Sequence, residues 1–234
     1  PLKEASRFGT ITADDKDRVV GFEEKPKNPK PIPSNSELVY ASMGNYIFDF
    51  EVLRKIMHEF ADKDDVDFGK TILPAIYKKY NVFAYNYSEQ NLPGIKKYEE
   101  PNYWRDVGTI QSLWEANMDL LEETPELDLY DPDWRIYSRN PVEPPHYIAP
   151  GARVMSCIIT EGSIVYGDIL HSILFAGVTV GKGSTIRNSI LMPNVTVGEN
   201  TIIENAIVAE DTTIGDNCYI GYDPKGEKAD PAGI

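Results

Sequence analysis

The sequence predicts an α/β layer followed by a parallel β-helix, and three observations carry that prediction. The stretch 172–222 is three copies of one 17-residue unit: SILFAGVTVGKGSTIRN, SILMPNVTVGENTIIEN and AIVAEDTTIGDNCYIGY. Val180, Val197 and Ile214 fall in register, each followed by a glycine; so do Ile186, Ile203 and Ile220, and Leu174, Leu191 and Val208. Within a unit the aliphatic positions step by six, five and six residues. That spacing fits neither a helix nor a flat alternating strand. It fits a coil of three short strands per turn, each aiming one aliphatic side chain at a common axis, which is the hexapeptide β-helix signature. The second observation is that the half upstream alternates strand-like and helix-like stretches, as an α/β layer does. The third is an acidic, proline-rich stretch between the halves, which reads as a linker. The expected organisation is therefore 1–123, a linker over 124–147, and a coil over 148–234.

Each element has its own local signal. Residues 7–12 and 18–24 read as strands joined by the turn Asp14-Asp15-Lys16-Asp17. A proline-rich, basic loop follows, through Pro33. Residues 38–48 read as strand, glycine break, strand. Asp49 is placed to cap an amphipathic helix over 50–60. Residues 68–80 read as helical, with Pro74 kinking or limiting the helix. A strand is expected over 81–87 and a surface loop carrying Pro93-Gly94 over 88–102. Thr109 caps a helix over 110–122, with Leu113, Trp114, Asn117, Leu120 and Leu121 along one side. The coil starts near Ile148. Its first turn, around 157–171, reads as one residue short of the later period. The small residues Ser184, Thr201 and Cys218 recur where a tight corner needs them.

Composition excludes several classes. The net charge of the 234 residues is −14, and each of the stretches 1–120, 121–146 and 147–234 is net acidic. A surface for nucleic acid or for an anionic membrane is not expected. Two cysteines, Cys157 and Cys218, make no disulfide framework, which suits a reducing cytoplasm. There is no signal peptide and no long apolar run, so no membrane span is expected. The sequence opens at Pro1 and runs directly into ordered-looking residues, so a fragment or trimmed chain is expected.

Four motifs carry possible chemistry. In Glu23-Glu24-Lys25-Pro26 a lysine at a strand end offers a point charge suited to a phosphate, or is a solvated loop lysine. Ala41-Ser42-Met43-Gly44-Asn45-Tyr46 sets a hydroxyl beside a glycine that lets backbone approach a ligand, or is a bulged strand. Asp67-Phe68-Gly69-Lys70 places a carboxylate and an aromatic at a helix entrance, or is a cap followed by a core phenylalanine. In Tyr103-Trp104-Arg105-Asp106-Val107-Gly108-Thr109, Asp106 is placed to hold a hard cation by its oxygens, or pairs with Arg105 to buttress the turn. His171, in the coil, is either an acyltransferase-type base or a surface residue at a corner.

Together, FEEKP (22–26), ASMGNY (41–46), DFGK (67–70) and YWRDVGT (103–109), followed by LWEANMDLL, LDLYDPDWRIYS and the coil, resemble the bacterial ADP-glucose pyrophosphorylases (glucose-1-phosphate adenylyltransferases) over nearly the whole chain. The resemblance implies part of a Rossmann-like nucleotidyltransferase domain followed by a left-handed parallel β-helix, against the usual right-handed crossover. It implies a transferase that joins ATP and α-D-glucose 1-phosphate into ADP-glucose and pyrophosphate with Mg²⁺, for glycogen or starch synthesis. It also implies a homotetramer and an allosteric effector of sugar-phosphate type. By resemblance, Lys25 holds the phosphate of glucose 1-phosphate, Glu24 the sugar hydroxyls, and Gly9 approaches the sugar by its backbone. Ser42 and Tyr46 line the pocket, Asp67, Phe68 and Trp104 shape the glucose site, and Asp106 holds the catalytic Mg²⁺. The family's Gly-Gly-x-Gly-x-Arg nucleotide loop and its upstream metal aspartate have no counterpart here. The 234 residues alone are therefore expected to be inactive. A non-catalytic regulatory paralogue and a hexapeptide acyltransferase are the alternatives.

Overall fold

A computed structural model of the chain describes residues 1–32, 35–90, 94–132, 135–138 and 141–221. Pro33, Pro93, the Asp133-Trp134 pair of DPDWRIYS and the end of the coil domain at 222–234 lie outside the described residues. The chain divides into two compact units, Pro1–Glu89 and Gln90–Ile234. The stretch read as 1–123 thus runs through the first unit and into the second.

The first unit is built on a three-stranded antiparallel sheet in the order β2-β1-β3, with β1 at Gly9–Ala13, β2 at Val19–Glu24 and β3 at Tyr40–Ala41. The hairpin turns where expected. Asp14 Oδ1 accepts from the amides of Lys16 (2.9 Å) and Arg18 (3.0 Å), and Asp17 takes a positive φ of 61°. These two amide bonds hold the Asp14 carboxyl below its usual range. Helix α1 spans Phe50–Phe60 and is capped by Asp49, whose Oδ1 accepts from Val52 N at 3.0 Å. A π-helical turn, Phe68–Ile72, leads into α2, Leu73–Ile76. Pro74 sits in the first turn of α2, where a missing N–H costs nothing. Phe22, Ile56, Phe60, Ile72, Leu73 and Ile76 form the core.

Two expected strands do not form among the described residues. Of 38–48 only Tyr40–Ala41 enters the sheet, and 45–49 belongs to no helix or strand. Of 81–87 only Phe83 bridges, to Arg18, flanked by Val19 N→Val82 O and Ala84 N→Asp17 O, both 2.8 Å. A strand needs a neighbour to share its backbone bonds, and alternation of side chains cannot supply one. Helix α1 matches its expected span, but the other two helices are shorter than read. After Ile76 the chain turns, and α3, Ile110–Met118, ends before a 3₁₀ turn at Asp119–Leu121.

The second unit is the coil with α3 (Ile110–Met118) on it. Among the described residues the coil has two five-stranded faces and one four-stranded face, all parallel. The register is as read: Val180 pairs with Val197 and Val197 with Ile214, Ile186 with Ile203 and Ile203 with Ile220, and Leu174 with Leu191 and Leu191 with Val208. These side chains, with Val165 and Ile169, make one continuous core. Inside it, hydroxyls link turn to turn. Ser184 Oγ donates to Gly198 O at 2.7 Å and accepts from Thr201 N at 2.9 Å, and Thr201 Oγ1 repeats the pattern with Gly215 O and Cys218 N. Corners are turned by residues in the left-handed region, among them Asn188, Asn194, Asn200 and Asn205. Asparagine tolerates that conformation better than most residues.

The irregular turn is not one residue short. Val165 pairs with Val180, fifteen residues on, while Ile169 pairs with Ile186, seventeen on. Two residues are lost, both at the corner between Val165 and Ile169. Gly167 sits at that corner, where a Cβ would lie 2.4 Å from Ser184 O; the full-length corners carry equally tight glycines at Gly181 and Gly198. Among the described residues no helix is long and apolar enough to cross a membrane.

Candidate functional site

In the first unit the hairpin and the π turn converge. The end of β2 presents Glu24 beside the start of β1, because Gly9 and Glu24 are paired in the ladder. Side chains at Gly9 and at Gly69 would each place a Cβ 2.8 Å from Glu24 Oε2. Both positions therefore need glycine for the carboxylate to sit where it does. Gly9 is buried and also borders the Phe22 ring, at 2.7 Å from such a Cβ. Gly69 borders Asp67 Oδ1 as well, at 3.3 Å. Asp67 uses that oxygen to cap the helical turn, accepting from Lys70 N at 2.7 Å. Glu24 and Asp67 are thus two carboxylates on one patch.

Lys25 follows directly. Its amide donates to Phe8 O at 3.1 Å and its φ is 46°, an uncommon backbone state for a lysine. The side chain is exposed, and its ammonium makes no ion pair or side-chain hydrogen bond among the described residues. Ser42 N donates to Gly9 O at 2.7 Å, which brings the second motif to the same strand end. The Ser42 hydroxyl lies 3.1 Å from Tyr46 OH and accepts from Gly44 N at 3.3 Å. Tyr46 stacks on Phe68, with centroids 5.6 Å apart and planes at 28°, and Phe48 lies 5.7 Å from Phe68. A cavity of about 940 Å³ opens beside this group, lined in part by Ser42, Tyr46, Phe48 and Tyr85.

Gly9, Glu24, Lys25, Ser42, Tyr46, Asp67 and Phe68 therefore belong to one neighbourhood. Two carboxylates accept from hydroxyl groups, stacked aromatics offer an apolar face, and an ammonium attracts a compact anion. That combination suits a phosphorylated polyol. Sequence reading missed Gly69 and Phe48. The DFGK motif contained the glycine, but its closeness to Glu24 depends on how the π turn meets the sheet.

Trp104 and Asp106 belong to the second unit. Both are half-buried in the turn that enters α3. Asp106 Oδ1 accepts from Gly108 N at 3.2 Å. Thr109 then caps α3 as read, forming a capping box with Ser112. Among the described residues no group of three or more His, Cys, Asp or Glu side chains is gathered as a metal cage. Arg105, read as a possible partner of Asp106, instead pairs with Glu100, Asp119 and Glu126. His171 sits at a left-handed corner with φ 45°, its Nδ1 3.2 Å from Asn188 Oδ1. Both cysteines are free thiols, and burial pushes the Cys157 thiol up.

Comparison with known proteins places these units. Residues 1–123 match a family model described as nucleotidyl transferase, and residues 149–231 one described as GlmU-like, C-terminal hexapeptide. The chain is 49% identical over 190 residues to the glucose-1-phosphate adenylyltransferase of Desulforamulus reducens, covering 80% of this chain and 43% of that protein. It is 46% identical over 189 residues to that of Clostridium acetobutylicum, covering 80% and 44%. It is 40% identical over 191 residues to that of Thermotoga maritima, covering 80% and 40%. The chain spans less than half the length of these curated relatives.

Proposed function

Because the chain belongs to the nucleotidyl transferase family, we propose that it carries the sugar-phosphate half of a glucose-1-phosphate adenylyltransferase site. The reaction joins ATP and α-D-glucose 1-phosphate into ADP-glucose and pyrophosphate. The observation that carries this reading is the single neighbourhood of Glu24, Lys25, Ser42, Tyr46, Asp67 and Phe68 around Gly9.

In this reading Lys25 holds the phosphate, and Glu24 and Asp67 accept from sugar hydroxyls. Tyr46 and Phe68 face the ring. Nucleotidyl transfer asks the protein mainly to position two phosphates and to offset their charge. Asp106 is the residue that would hold Mg²⁺. A half-buried oxygen donor fits that ion, which takes one or two carboxylates and leaves its other positions to water and phosphate. The metal supplies neutralisation of phosphate charge when bound. The resemblance extends the proposal to a cytoplasmic homotetramer under a sugar-phosphate-type effector, feeding glycogen synthesis.

Two measurements test it. The 234 residues contain no Gly-Gly-x-Gly-x-Arg loop, so alone they are expected to release no pyrophosphate from ATP and glucose 1-phosphate. Turnover above background would contradict that division of the site. In a polypeptide that carries this sequence within a complete catalytic domain, Lys25→Ala is expected to raise KM for glucose 1-phosphate by about 10- to 100-fold, the loss of one charge-assisted bond. KM for ATP should move little. Equal effects on both substrates would remove Lys25 from the phosphate.

A further inference from the structure

The residue between Trp104 and Asp106 has no part in the chemistry proposed above, yet it is tied to three separate segments. Arg105 Nη2 donates to Glu100 Oε2 at 2.6 Å and to Glu126, and Nε lies 3.7 Å from Asp119 Oδ2. Nη1 donates to Trp104 O at 3.1 Å, and the guanidinium lies over the Tyr103 ring, 4.4 Å from its centroid. The three carboxylates come from three places: the loop before the motif, the end of α3, and the stretch beyond it. Glu100 N also donates to Glu126 O at 3.0 Å, so the first and last of these are joined by backbone. A second clasp lies alongside. Lys96 pairs with Asp128, Tyr98 OH donates to Asp128 at 3.3 Å, and Asp128 N donates to Glu99 at 2.9 Å.

A single exposed ion pair holds little. One planar fork shared among three carboxylates and stacked on an aromatic is a different case, and a lysine cannot reproduce it. Helix α3 is fixed in turn. Trp114 Nε1 donates to Asn188 O of the coil at 2.8 Å, and Met118 packs on Ile173 and Ile190. The route from the coil to the Trp104–Asp106 turn is therefore continuous within one unit.

We propose that Arg105 is a positioning residue: its guanidinium fastens the Trp104–Asp106 turn to the end of α3 and to Glu126, and α3 fastens both to the coil. The consequence for turnover rests on the reading of Asp106 as the metal carboxylate; the ordering of the turn does not.

The test compares Arg105→Met, Arg105→Lys and Glu126→Gln. Deuterium exchange of the amides in 103–109 is followed in the 234-residue chain, with the coil amides in 164–208 as internal control. Steady-state kinetics are followed in the polypeptide with a complete catalytic domain. For Arg105→Met, exchange over 103–109 should rise by about tenfold or more while the coil is unchanged, as for loss of a local restraint. The kcat should fall by about 10- to 100-fold and half-saturating Mg²⁺ should rise, with KM for ATP within about twofold, the pattern of a misplaced group rather than a lost contact. Arg105→Lys should recover little of either. Glu126→Gln, an exposed partner whose loss leaves the fold intact, should move both readouts the same way by less. Wild-type exchange in Arg105→Met, or full recovery by Arg105→Lys, would overturn the proposal. Faster exchange in a protein whose wild type transfers no adenylyl group would uphold the ordering role and remove the adenylyltransferase reading instead.

Discussion

The coil and the three-stranded sheet bury their aliphatic side chains in different ways. In the coil each core residue meets its own equivalent one turn away, as in the series Val165, Val180, Val197 and Ile214. In the sheet unit Phe22, Ile56, Ile72 and Ile76 come from four different elements and no contact repeats. Repetition leaves the coil interior full and closed, with Val165, Leu174, Val180, Ile186 and Leu191 all without exposure. The irregular unit leaves a cavity and a patch of unlike groups beside it. Redundant packing builds a scaffold, whereas non-repeating contacts can bring a lysine, two carboxylates and two aromatics to one place.

That contrast can be broken most sharply inside the coil. Ile186→Ala should cost about 2–5 kcal/mol, since Ile169 and Ile203 above and below cannot close the gap without leaving their ladders. Chemical denaturation of the chain measures it; a loss under about 1 kcal/mol would mean that the coil interior collapses freely. In the sheet unit Gly9→Ala should cost about 1–3 kcal/mol, because its Cβ would meet the Phe22 ring at 2.7 Å and Glu24 at 2.8 Å. The loss should appear in the melting of the sheet unit alone. A wild-type melt would mean that Glu24 and Phe22 shift aside at no cost.

The smallest effect is at the short corner of the coil. The Arg153 guanidinium, bonded to Asp168, holds that carboxyl below its ordinary range, and Arg153 N adds a bond at 3.0 Å. A depressed carboxyl contributes stability above the ordinary carboxylate range and loses it as pH falls through the folded value. Arg153 is largely exposed and Asp168 half-buried, so the pair's contribution is small. Wild type should lose slightly more stability than Asp168→Asn on acidification. Parallel pH profiles would assign the pair no role in stability.

Much of the coil was legible because its signal is arithmetic: a period of 17 places the series from Leu174 to Ile220 at once. The caps Asp49 and Thr109 and the hairpin turn at Asp14 were legible because each acts within a few residues. What failed was whatever depends on a distant neighbour. Residues 45–48 and 81–87 read as strands, but alternation specifies a face and not a partner. The π turn was unreadable because its extra width rests on Asp67 O accepting from both Thr71 and Ile72 amides, each at 3.0 Å. The docking of α3 had a signal that went unread: the outward positions beside the core series, Ile158, Ile173, Ile190 and Ile207, are all isoleucine where a solvated face would be polar. In the site, the motifs named the residues, but the approach of Gly69 to Glu24 depends on a turn and a strand end far apart in sequence.

The constant register of the coil also governs how its length can change. Adding or removing one whole unit leaves every remaining strand with equivalent neighbours and shifts the tip by one strand spacing, about 4.8 Å. Any other insertion throws later corners out of column. Growth in this part of the molecule is therefore stepwise, a ruler marked in turns. The fifteen-residue turn shows a fraction the ruler accepts: a loss confined to a single corner, between Val165 and Ile169, after which the regular register resumes.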